Sequence, residues 1–124
     1  MQVIKNVTVE LSVFERIVIP SILPIKGNYE TGLILSDLKK KLQISQEEMD
    51  SLEFVSTVTE GVVNYNWSEE REAEQKKFST ELTRREYTLL VRSIVDMNNR
   101  GELPISDPRY MALFERFGLE EGRK

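Results

Sequence analysis

The chain has 124 residues, 40% hydrophobic and 31% charged, with a formal net charge of -4, the composition of one globular domain able to bury its own core. It has no cysteine and no histidine, which excludes disulfides, thiolate or imidazole metal sites, cysteine nucleophiles and histidine bases. Carboxylate chemistry survives, as a Mg²⁺ or Ca²⁺ site or a paired-carboxylate hydrolase, and it needs a recognisable cluster among the 21 acidic residues.

The opening MQVIKNVTVELS lacks a basic start followed by an apolar run, and VFERIVIPSILPI is short, charged and broken by proline. Neither a leader nor a membrane span is expected, and the protein reads as cytoplasmic. Asn6-Val7-Thr8 and Asn66-Trp67-Ser68 match the glycosylation triplet, but without a secretory context they carry no weight. Residues 3 to 11 place Val7, Val9 and Leu11 on one side, as a half-buried strand does.

Ser12 with Glu15 forms a capping box, so a helix is predicted from Val13, burying Phe14, Ile17, Val18 and Ile22, with a kink at Pro20 and a stop at Pro24. Lys26-Gly27-Asn28 is turn chemistry. A second helix runs from Tyr29 or Gly32 to Leu42, with Leu35, Leu38 and Leu42 on one face. A second capping box, Ser45 with Glu48, starts a short helix over residues 46 to 53 that turns Met49 and Leu52 inward.

FVSTV and VVNYNW, separated by Thr59-Glu60-Gly61, have the composition of a hairpin with a glycine-dependent turn. Val63, Tyr65 and Trp67 share one face and Asn64 and Asn66 the other. Residues 68 to 77 mix charges with one apolar residue, giving a solvated helical turn or a linker, and FSTEL alternates as a third strand. A third capping box, Thr83 with Glu86, opens a long helix with Tyr87, Leu90, Val91, Ile94 and Met97 inward and Gly101 as its left-handed stop. Asp107-Pro108 opens a last helix with Tyr110, Leu113, Phe114 and Phe117 inward and Gly118 as its cap. That helix docks within its own domain or crosses to a second copy as a homodimer.

The expected fold is α+β: a winged-helix-like arrangement of three helices and a small antiparallel β-sheet, extended by two C-terminal helices. It forms one domain over residues 1–118, with a flexible C-terminal tail over 119–124; a pure helical bundle is the alternative. Phe-Glu-Arg at 14 to 16, Ile22-Leu23-Pro24 with Gly27, a hairpin ending in Trp67, a charged segment and Leu89-Leu90 with Ile94 on a late helix together resemble a family of small uncharacterised tailed-phage proteins, over residues 11 to 117. The resemblance implies a phage setting; the family has no assigned activity or functional residues to carry over. Phe-Glu-Arg recurs at 114 to 116 without a fixed period around it, so no repeat is assigned.

A winged helix reads DNA with its third helix, and lysines and arginines neutralising phosphates supply most of the affinity. Here that helix carries Glu47, Glu48, Asp50 and Glu53 and no basic residue. Those carboxylates suit a solvated first turn at the positive end of a helix, with no Gly-rich phosphate loop or calcium loop beside them. The expectation is therefore a non-enzymatic protein-protein interaction module, with no cofactor and no metal, binding a host or phage protein and inhibiting a host process as one outcome. Its candidate protein-binding residues are Tyr65, Trp67, Asn64 and Asn66, because Tyr and Trp anchor interfaces at low entropic cost; otherwise Val63, Tyr65 and Trp67 simply cover the core. The competing class is a winged-helix DNA-binding regulator using Lys39, Lys40, Lys41, Arg85 and Arg92, and an acidic assembly factor is a third.

Overall fold

Each of the three Ser/Thr-x-x-Glu sequences starts a helix in the computed structural model, which describes residues 6–119. Helix α1, Val13–Ile22, α3, Gln46–Ser51, and α5, Arg84–Asn99, begin with both reciprocal bonds of a capping box, from Ser12 and Glu15, Ser45 and Glu48, and Thr83 and Glu86. Asn28, Ser68 and Asp107 each accept one backbone N–H to start α2, Tyr29–Leu42, α4, Glu69–Glu74, and α6, Pro108–Leu113. Every one of these caps satisfies amides that a helix N-terminus leaves unpaired. A wide π-helical turn, Phe114–Gly118, continues α6.

The strands are β1, Val7–Leu11, β2, Val55–Thr59, β3, Val62–Asn66, and β4, Phe78–Leu82. The fold is α+β, and the winged-helix-like order of three helices followed by a hairpin is present. Among the described residues, however, the strands form two separate antiparallel pairs, β1 with β4 and β2 with β3. Helix α4 separates β3 from β4, and Glu72 within it accepts the Val13 N–H at 2.9 Å. The chain is thereby brought back to the start of α1, where β4 pairs with the strand that precedes it.

One core lies between the β1–β4 pair and helices α1, α2, α5 and α6. Val9, Leu11, Ile19, Leu38, Leu82, Leu90, Ile94, Leu113 and Phe117 pack in it, each large aliphatic side chain contributing about 1.5–3 kcal/mol by leaving water. The stripe of α5 is as predicted, with Leu90, Val91, Ile94 and Met97 buried, and Gly101 takes a left-handed φ of 71° after it. Helix α6 and the π-helical turn pack within their own chain: Tyr110 meets Phe14 edge-on at 5.2 Å between centroids, and Phe117 meets Tyr87 at 6.5 Å.

Two expectations are corrected. Helix α1 buries Val13, Arg16, Val18 and Ile19 most deeply, leaving Phe14, Ile17 and Ile22 half-buried. Arg16 turns inward because its head reaches the carbonyls that end α2. Gly118 is not a helix cap: it lies inside the π-helical turn, a Cβ there would stand 2.4 Å from the Phe114 ring, and Leu119 continues in helical conformation. The rest of the predicted tail, 120 to 124, and the predicted strand residues 3 to 5 lie outside the described residues.

Each capping-box glutamate also reaches a distant cation. Glu15 pairs with Arg116 at 3.1 Å, Glu48 with Arg16 at 2.5 Å and Glu86 with Lys41 at 2.6 Å. Arg16 is the most enclosed of these cations. Its Nε donates to the Leu42 carbonyl at 3.2 Å, Nη2 donates to the Gln43 carbonyl, and its guanidinium stacks 3.6 Å from the Phe78 ring centroid. The Arg16 bond, helped by hydrogen bonds from Ser45, holds the Glu48 carboxyl down at about 2 from its ordinary 4.5. It does so against the desolvation that favours the neutral acid.

Candidate functional site

The hairpin begins where α3 ends. Glu53 adopts a left-handed φ of 55°, and the Phe54 N–H returns to the Met49 carbonyl at 2.9 Å, turning the chain out of the helix. Glu60 and Gly61, at φ 54° and 79°, make the two-residue turn whose twist suits antiparallel strands. They set the register Thr59 with Val62, Thr57 with Asn64 and Val55 with Asn66. At the base, the Ser68 N–H donates to the Leu52 carbonyl at 2.7 Å, so exit and entry are pinned together.

Every residue from Val55 to Asn66 is exposed. Val58 is 70% accessible, Val63 48% and Tyr65 46%, so the hairpin does not cover the core and that reading of Val63 and Tyr65 falls. Alternation places Ser56, Val58, Val63 and Tyr65 on one face and Val55, Thr57, Val62, Asn64 and Asn66 on the other. The four candidate residues therefore divide: Tyr65 and Trp67 belong to one face, while Asn64 and Asn66 share the opposite face with two exposed valines.

Trp67 is half-buried at the base. Its ring stacks on Phe54, 6.1 Å between centroids and 11° between planes, and Phe54 also meets Tyr65 at 5.7 Å. The indole N–H donates to Glu72 Oε1 at 2.9 Å, while Glu72 Oε2 accepts from Val13 at 2.9 Å. One carboxylate thus joins the hairpin base to the first turn of α1. Phe54 is the site residue that the sequence reading missed; its place two residues before Ser56 and four before Val58 was the signal.

The basic candidates do not form one patch. Lys39 and Lys40 are exposed at the end of α2, Lys41 is held by Glu86, and Arg85 pairs with Glu30 at 2.5 Å, both largely exposed. Arg92 is exposed and lies with Arg84 and Arg85 along a groove of about 320 Å³ between α2 and α5. The acidic run of α3 is only partly a solvated face: Glu48 holds Arg16, and Glu53 meets Arg71 at 3.1 Å.

A larger cleft of about 490 Å³ lies between β1, the start of α1, α3 and α4. Its carboxylates at Glu15, Glu48 and Glu72 are occupied by Arg116, Arg16, and the Val13 and Trp67 N–H groups. Among the described residues, no group of three or more acidic side chains could hold a metal ion, and no helix is long and apolar enough to cross a membrane. Compared with models of protein families, with curated proteins and with solved structures, this chain finds no match.

Proposed function

We propose that the protein is a non-enzymatic, phage-encoded interaction module that docks on a partner protein in the host cytoplasm through its β2–β3 hairpin, with inhibition of a host process as one outcome. The observation that carries this reading is the exposure of all residues from Val55 to Asn66, five of them Val or Tyr. A two-stranded ribbon with both faces wet is marginal by itself in water. Val58, Val63 and Tyr65 lie together on one of those faces, and an exposed apolar patch of this kind is a mark of contact sites.

The edges support the same reading. Thr59 and Val62 close the two-residue turn as a hydrogen-bonded pair, so the N–H and C=O groups of Val63 and Tyr65 point out from the free edge of β3. Natural edges are usually blunted with lysine or proline, and VSTVT and VVNYN contain neither. A partner strand laid along β3 gains main-chain hydrogen bonds, and Val63 and Tyr65 then discriminate its side chains. The tailed-phage resemblance supplies the host setting.

The test is retention of proteins from bacterial lysate by the wild-type chain beside Tyr65→Ala. Tyr65 lies outside the core and its packing is the contact with Phe54, so the substitution should lower stability by no more than about 1 kcal/mol. It should weaken the retained partner by about 2 kcal/mol or more, as interface anchors do. A partner held equally by both chains removes the hairpin from the interface. Tight binding to duplex DNA that falls steeply with salt, with no protein retained, replaces this reading by the regulator.

A further inference from the structure

We propose that the groove between α2 and α5 is a second docking site, separate from the hairpin, which takes an acidic amphipathic helix from a partner protein. Helix α5 supplies Arg84, Arg85, Leu89 and Arg92, which recur at the helical repeat along one side, and α2 supplies Ile34. Leu89 and Ile34 are half-buried and form an apolar floor, while the three arginines are exposed and form the rim.

Charge selects the occupant. Among the described residues that line the groove there are three cations and no carboxylate, in a chain whose net charge is -4. The larger cleft by α1 is the opposite case, since its arginines already face carboxylates of the same chain. Arg84 and Arg92 make no ion pair among the described residues, and Arg85 has only an exposed pair with Glu30. An exposed pair of that kind is weak and is readily exchanged for a partner's carboxylate.

Spacing gives the occupant its form. Arg85 and Arg92 are seven residues apart on one helix, or about 10.5 Å, which matches carboxylates two turns apart on an opposing helix. An apolar residue between those carboxylates would then meet Leu89 and Ile34, the pattern of helix-in-groove recognition. Duplex DNA suits the groove less well, because a phosphate backbone offers the Leu89 and Ile34 floor no apolar contact.

The experiment titrates the full chain into a labelled synthetic helix that carries a leucine stripe flanked by glutamates. Three controls accompany it: the same helix with lysines for glutamates, a polyglutamate peptide and a short DNA duplex. The glutamate helix should bind at least about tenfold more tightly than every control, and Arg92→Glu and Arg84→Glu should each weaken it by about tenfold. Both arginines are exposed, and circular dichroism checks that the variants remain folded. Tyr65→Ala should leave this binding unchanged, which separates failure here from failure of the hairpin reading. Equal binding of the lysine helix, indifference to Arg92→Glu, or tighter Arg92-dependent binding of the duplex would overturn the proposal.

Discussion

Glu15, Glu48 and Glu86 each start a helix and also fix it to a cation from another part of the chain. Among the described residues, no side chain from Val55 to Asn66 makes an ion pair or a hydrogen bond. The helical part therefore has its local and tertiary interactions centred on the same residues, so one substitution there disturbs two levels of structure. The hairpin depends on its turn, its cross-strand pairs and the aromatic base around Phe54, leaving its outer surface free to change without disturbing the fold. That separation is what a contact surface requires.

The strongest challenge to the comparison is Arg16→Ala. It removes a buried guanidinium from Glu48, from two carbonyls at the end of α2 and from the Phe78 ring. Breaking such a pair from one side should cost about 3 kcal/mol, seen as a lower urea midpoint with an unchanged slope. A loss below about 1 kcal/mol would mean that the ties of the helical part are ornamental.

Trp67→Ala comes next because it strikes the junction between the two regions. Loss of the Phe54 stack and of the bond to Glu72 should cost about 2 kcal/mol, less than truncation in a closed core. Amide exchange should rise together at the hairpin and in the first turn of α1, since Glu72 serves both. Protection lost at the hairpin alone would show that the shared carboxylate does not couple them.

Glu48→Gln preserves the capping geometry, because glutamine serves at that position, and removes only the charge. Its cost at neutral pH should be about 1 kcal/mol, kept small by the 35% exposure of the Glu48 side chain. The folded pKa lies at about 2, below the ordinary 4.5, so the wild type's advantage is fully present above that ordinary value and fades as pH falls from 4.5 toward 2. Parallel urea titrations of the two chains check this; a gap that stays constant across that range would remove the ion pair as its source. The smallest effect belongs to the hairpin turn. Glu60→Asn puts a residue that tolerates positive φ where Glu60 holds 54° and should raise stability by about 0.5 kcal/mol.

Much of this fold is legible because its signals are local. Capping boxes, the α5 stripe, the Gly101 stop and the hairpin turn depend on residues a few positions apart. Arg16 was not legible as a buried residue, because polarity alone assigns it to solvent and its carbonyl partners lie on another helix. Gly118 follows an apolar stripe as a cap would, and only the position of the Phe114 ring reveals its other role. For the candidate site, alternation identified which side chains share a face. It could not tell whether another layer covers that face, so the exposure of Tyr65 and the division of Tyr65 from Asn64 and Asn66 had to come from the structure.

The β1–β4 pair joins Val7 to Leu82 and Leu11 to Phe78, which sets an order of events during synthesis. Strand β1 leaves the ribosome first, and its partner follows only after three helices, the hairpin and α4 have been made, a delay on the order of seconds. Until then the apolar side of β1, with Val9 and Leu11, has no sheet to join, and closing so long a loop slows folding. The hairpin needs only its own neighbours and forms in about 1–10 µs. Release of the nascent chain before Leu82 would yield the hairpin without the sheet that organises the rest.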